Sequence, residues 1–154
     1  MFQVAIESAQ ALYPDYNFIT ALRPSAQKAA FHVEDSSGRA LCFKIISPSC
    51  SVERVSREIE ALMTIQHRNV VKLAGYLREL KPGRSDHYMI EEFIEGIDLE
   101  QELSDNRRWS GSYISDFFSQ LCDGLAELHR HKIVHRDLKP ANILMRAEDS
   151  SPVI

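Results

Sequence analysis

Residues 135–142, His135-Arg136-Asp137-Leu138-Lys139-Pro140-Ala141-Asn142, are the stretch from which the rest of this 154-residue chain can be read. Pro140 has no N–H to donate and does not suit the interior of a regular helix, so the segment reads as a loop. A loop can turn Asp137 and Asn142 into one space. A carboxylate beside an attacking hydroxyl can accept its proton, and an amide oxygen can help hold Mg²⁺. Lys139, between the two, can neutralise charge on a phosphoryl group in flight.

On the C-terminal side, Ile143-Leu144-Met145 reads as a strand, residues 146–152 as a turn, and Val153-Ile154 as the start of a pairing partner. On the N-terminal side, Ile114, Phe117, Phe118, Leu121, Leu125 and Leu128 make a wide apolar face along a helix from Ser112 to His131. Earlier still the pattern is mostly that of strands: Tyr16 to Leu22, Ala29 to Glu34, then residues 39–46 after the turn Asp35-Ser36-Ser37-Gly38. In that third strand Leu41, Phe43 and Ile45 point one way and Cys42, Lys44 and Ile46 the other. A helix is expected over 52–67, with Ser51 as N-cap, Glu53 in the first turn and Val52, Val55, Ile59 and Leu62 as its apolar stripe. Val70 to Glu79 and His87 to Phe93 read as two more strands joined by the polar KPGRSD. Strands with one embedded helix, followed by helices, predict an α+β fold with a hinge near Phe93 to Gly96.

Bulk properties narrow the class. Hydrophobic residues make up 44% and charged residues 26%, as in a globular chain. A net charge of −4 gives no reason to expect nucleic acid or an anionic membrane as partner. The three cysteines, Cys42, Cys50 and Cys122, include no C-x-x-C pair, which points to a reducing, cytoplasmic setting rather than a disulfide framework. No apolar stretch approaches the length of a membrane span, and the N-terminus lacks the pattern of a secretory signal.

Residues 135–142 match H-R-D-L-x-x-x-N at every defined position and so resemble the catalytic loop of protein kinases. A lysine two places after the aspartate is similar to the serine/threonine branch. The resemblance implies that Asp137 orients and deprotonates a protein hydroxyl and that Asn142 binds a metal. Other segments follow in the family's order. Leu41-Cys42-Phe43-Lys44 stands where kinases carry V-A-I-K, which makes Lys44 the partner of the ATP α- and β-phosphates. Glu58 resembles the helix glutamate that pairs with that lysine. Residues 88–94 resemble the connector between kinase lobes, so the carbonyl of Glu92 and the amide of Ile94 would read the adenine edge. Glu91 then occupies the position at the rear of the nucleotide pocket, where a buried carboxylate needs a partner or water. His135 is expected to be architectural, and Arg136 to meet an acidic or phosphorylated group. ATP and Mg²⁺ are the implied cofactors and a protein the implied substrate.

On this resemblance residues 1–15 form an N-terminal extension, 16–94 a small lobe with a five-stranded antiparallel sheet and one helix, and 95–154 the first, mainly helical, part of a large lobe. Two departures stand out. Arg23 to Ala30 aligns with the glycine-rich phosphate loop but holds no glycine. The sequence also ends at Ile154, before the family's D-F-G triplet. The chain by itself is therefore expected to lack measurable kinase activity, and the face of the Ser112–His131 helix is expected to take a protein partner. The competing expectation is a non-catalytic kinase-like module that binds nucleotide or protein. Small-molecule phosphotransferases of similar architecture usually show H-G-D, and Arg136 and Lys139 argue against them.

Overall fold

The computed structural model describes residues 2–25, 27–49, 59, 62–81, 84–105 and 108–154, with the backbone alone for 76–81 and 84–86. The chain divides into two compact units, Met1–Met63 with Leu73–Phe93, and Thr64–Lys72 with Ile94–Ile154.

The first unit is built on a five-stranded antiparallel sheet in the order β1-β2-β3-β5-β4. Its strands are β1 (Asn17–Ala21), β2 (Lys28–Glu34), β3 (Ala40–Ile46), β4 (Leu73–Lys81) and β5 (Arg84–Glu92). The β2–β3 turn forms where Gly38 can take φ +80°. The Asp35 carboxylate closes it by accepting from the amides of Ser37 (2.9 Å) and Arg39 (3.1 Å). The Ser37 hydroxyl, hydrogen-bonded to the same carboxylate, leads the effects that lower its pKa to about 2.

Both faces of the sheet are covered, which is why β3 is apolar on both sides. On one face Phe31, Val33, Leu41, Phe43, Ile45, Tyr88 and Ile90 form a core with Phe18. A short helix, α1 (Ile6–Leu12), contributes buried Ala9, and Tyr13 follows it into the same core. This helix has no side-chain N-cap and spans only 7 residues, so packing rather than propensity sustains it. Gln10 fixes it to β1, donating to the Tyr16 carbonyl (2.8 Å) and accepting from the Phe18 amide (2.9 Å). Phe43 is fully buried, with ring centroids 4.6 Å from Tyr88, 4.9 Å from Tyr13 and 5.3 Å from Phe18. Phe43→Ala should therefore cost about 3–5 kcal/mol, read as a lowered midpoint in urea denaturation. A loss below about 1 kcal/mol would show that this aromatic cluster is not the unit's core.

The opposite face carries Ile46, Leu73 and Met89, with Ile59 packed on them. Ser51, Val52, Glu53 and Val55 of the helix expected over 52–67 lie outside the described residues. Ile59 is buried, the Met63 amide donates to its carbonyl (2.9 Å), and Ile65 to His67 are not helical.

The second unit has a three-stranded sheet, β6 (Gly96–Asp98), β7 (Leu144–Arg146) and β8 (Pro152–Val153), antiparallel throughout. Between β6 and β7 lie helices α2 (Leu99–Ser104) and α3 (Gly111–Arg130). Asp98 caps α2 by accepting from the Gln101 amide (2.9 Å), and Ser110 caps α3 by accepting from the Tyr113 amide (3.2 Å). Helix α3 starts one residue before the sequence expectation and ends one earlier. It buries Phe117, Leu121, Gly124 and Leu128 and leaves Ile114 and Phe118 exposed.

Strand β4 begins at Leu73 rather than Val70 because the preceding amides bond elsewhere. The Val71 amide donates to the Ile154 carbonyl (2.8 Å), and the Ile154 amide to the Asn69 carbonyl (3.0 Å). Asn69, almost fully buried, donates from Nδ2 to the Pro152 carbonyl (2.8 Å) and to Gln120 Oε1 on α3 (3.3 Å). The segment 64–72 is thus tied to the chain's last residues.

Candidate active site

The loop after α3 is shaped by two non-glycine residues at positive φ, Lys132 (61°) and Arg136 (64°). This uncommon conformation at Arg136 comes immediately before Asp137, whose amide donates to the His135 carbonyl (2.9 Å). Residues Pro140–Asn142 then form one 3₁₀ turn, closed by Asn142 N–H to the Lys139 carbonyl (2.9 Å). Pro140 at the start of that turn loses nothing by lacking an N–H. Ile143 is buried, and β7 follows directly.

These constraints gather three polar side chains. Lys139 Nζ lies 2.9 Å from Asp137 Oδ2 and 3.2 Å from Oδ1. Asn142 Nδ2 donates to the backbone carbonyl of Asp137 (2.8 Å) and to its Oδ2 (2.9 Å). Asp137 is exposed, yet donation from Lys139 first, then Asn142, holds its carboxyl below the ordinary aspartate range. It is therefore ionised at neutral pH. Both Asn142 bonds use Nδ2, so its Oδ1 has no role in the cluster. The Oδ1 of Asn142 is a hard oxygen donor of the kind that suits Mg²⁺, an ion that ordinarily keeps water and phosphate ligands besides. Among the described residues no group of three His, Cys, Asp or Glu side chains could cage a metal.

Lys44 lies on β3 and forms an ion pair with Glu91 of β5. The register sets Lys44 opposite Met89 and Cys42 opposite Glu91, so the pair runs diagonally across one face of the sheet. Burial pushes the Lys44 ammonium down, but the Glu91 charge, Cys42 and the hydrogen bond to Glu91 together leave the group above its ordinary value. Glu58, the partner expected from the sequence, lies outside the described residues. Glu92 ends β5 in the first unit, and Ile94, buried, opens the second.

The glycine-free segment has its own closure. The Ser25 hydroxyl accepts from the amides of Lys28 (3.0 Å) and Gln27 (3.3 Å), and the Ser25 amide donates to the Lys28 carbonyl (3.0 Å). The amides of Ser25, Gln27 and Lys28 are thus turned onto the loop itself. Sequence reasoning missed this, although a serine three residues before a strand is the signal of such a turn.

Residues 28–153 match the family model described as protein kinase domain. The chain is 30% identical over 129 residues to CBL-interacting serine/threonine-protein kinase 17 of Arabidopsis thaliana, covering 80% of this chain and 29% of that protein. It is 32% identical over 126 residues to CBL-interacting serine/threonine-protein kinase 8 of the same plant, covering 79% and 27%. With Aurora kinase of Schizosaccharomyces pombe the figures are 34% over 93 residues, 60% and 25%. This chain belongs to the eukaryotic-type serine/threonine protein kinase family. It spans less than a third of the length of each of these relatives. The family in general uses ATP and Mg²⁺ and acts on proteins. No described helix is long and apolar enough to cross a membrane.

Proposed function

We propose that the chain carries the phosphate-binding and catalytic-loop segments of an ATP-dependent serine/threonine protein kinase. The observation that supports this best is the Asp137 carboxylate, exposed, ionised and oriented by Lys139 and Asn142. Asp137 takes the proton of a seryl or threonyl hydroxyl as its oxygen attacks the γ-phosphorus. The bond from that phosphorus to the β,γ-bridging oxygen breaks and ADP leaves. Lys139 offsets charge on the transferring group, and Asn142 offers Oδ1 to Mg²⁺, which when bound neutralises phosphate charge. Lys44 holds the α- and β-phosphates, with Glu58 as a further partner. The carbonyl of Glu92 and the amide of Ile94 bind the adenine edge. On this reading residues 1–15 are an extension, 16–94 the small lobe and 95–154 the start of the large lobe. The free thiols Cys42 and Cys122 suit a reducing, cytoplasmic setting.

The self-closed Ser25 turn favours a second reading, a kinase-like module that binds without catalysis. Exposed Ile114 and Phe118, one helical turn apart on α3, would then serve as its protein contact. The deciding experiment offers MgATP with a serine-containing peptide and, in parallel, its tyrosine counterpart to the native protein from its own cells. Transfer to serine alone is expected. No transfer to either, with protein capture weakened by Phe118→Glu, would replace the first reading by the second.

A further inference from the structure

Glu91 puts a negative charge where the β3 lysine already has work to do. Its side chain is only 7% exposed and that of Lys44 27%, and the two form an ion pair. Among the described residues this face is mostly apolar, with the Lys28 ammonium near enough to Cys42 to act on it. Ile46, Leu73 and Met89 are buried apolar neighbours. Cys42, directly opposite Glu91 in register, is kept neutral because burial pushes its thiol up to about 11. His32, opposite Cys42 on β2, has its ring stacked on Phe93 at 3.9 Å. Glu91 is therefore the counter-ion of Lys44 on this sheet face among the described residues.

An anion arriving at Lys44 meets this carboxylate. Either the ammonium is shared between two anions, or it turns away and leaves Glu91 buried without its partner. Both routes weaken anion binding, and the Ser25 hydroxyl already engages the Gln27 and Lys28 amides of the loop. We propose that Glu91 is an internal competitor for Lys44, an ion-pair lock that phosphate must break before Lys44 can bind it. The proposal rests on the assignment of Lys44 to nucleotide phosphate. It makes Glu91 a residue that sets nucleotide affinity, by holding the lysine rather than by touching the base.

Titration calorimetry of the protein with inorganic tripolyphosphate and, separately, with MgATP tests it. Glu91→Gln keeps the shape and removes the charge, so both ligands should bind about tenfold more tightly, the difference between a charged and a neutral partner for one ammonium. Glu91→Asp, one methylene shorter, should fall between the two and covers the case in which the glutamine variant does not fold. Adding Lys44→Met to either variant should abolish the gain. Equal or weaker binding by Glu91→Gln and Glu91→Asp, with the parent binding normally, overturns the lock and leaves the kinase assignment standing. Failure of the parent and both variants to bind either ligand overturns the assignment of Lys44 to phosphate, and the lock falls with it.

Discussion

Asp137→Asn is expected to slow phosphoryl transfer by the native protein about a thousandfold, the scale on which a positioned general base contributes. The substitution is nearly isosteric, and one of the two Asn142 contacts is to the backbone carbonyl of residue 137, which it leaves in place. The amide that replaces the carboxylate can still accept from Lys139 or Asn142, and because the site is exposed any remaining donor finds water. Fold and MgATP affinity should therefore hold while the rate falls, so the loss lies in kcat. The pH profile provides a second handle. A base loses its function as pH falls through its pKa, and Lys139 and Asn142 lower that of Asp137. The acid limb due to Asp137 should then lie below the ordinary aspartate range, and Lys139→Met should move it to higher pH. A variant Asp137→Asn that turns over within a few-fold of the parent would remove this residue from the chemistry.

The sheet could be read from the sequence because its strands are short runs of aromatic and β-branched residues between turn signals, whereas the packing of both its faces was not. The alternation along β3 separated Lys44 from Phe43. Helix α3 was legible from its apolar stripe, while the Ser110 cap that starts it was not read. What was hidden depends on contacts distant in sequence. Nothing local distinguishes Val70 and Val71 from the strand that follows. The Val70 amide bonds to the His67 carbonyl and the Val71 amide to that of Ile154, which keeps both out of β4. The 3-residue strand β6 is too short to show a period, and its pairing with β7 joins segments some fifty residues apart in sequence. In the site, Asp137, Lys139 and Asn142 lie close in sequence, so a loop that turns them into one space could be read there. The sequence argued that Glu91 needed a partner on grounds of burial. It could not say that the partner is Lys44, because that follows from the β3–β5 register.

Register also makes Gly96 the most sensitive glycine of the second unit. It pairs with Arg146 across β6 and β7 at φ +154°. A Cβ there would lie 1.9 Å from the Met145 carbonyl oxygen, 2.9 Å from its carbon and 3.2 Å from the Ala147 nitrogen. All three are backbone atoms, so no side chain can swing aside. Relief requires β6 to part from β7, which would break the bond from the Ala147 amide to the Glu95 carbonyl (2.8 Å). The neighbouring bond from the Leu99 amide to the Ile143 carbonyl (2.8 Å) would be strained with it. Ile143 immediately follows Asn142, so the displacement is passed to the residue that orients Asp137. Gly96→Ala should cost about 4 kcal/mol or more in urea denaturation, beyond the usual penalty of overpacking. Gly111→Ala is the matched control: its Cβ meets nothing within 4 Å at the start of α3, and stability should hold or rise slightly. If the two variants unfold at the same urea concentration, the close approach of β6 to β7 does not contribute to stability.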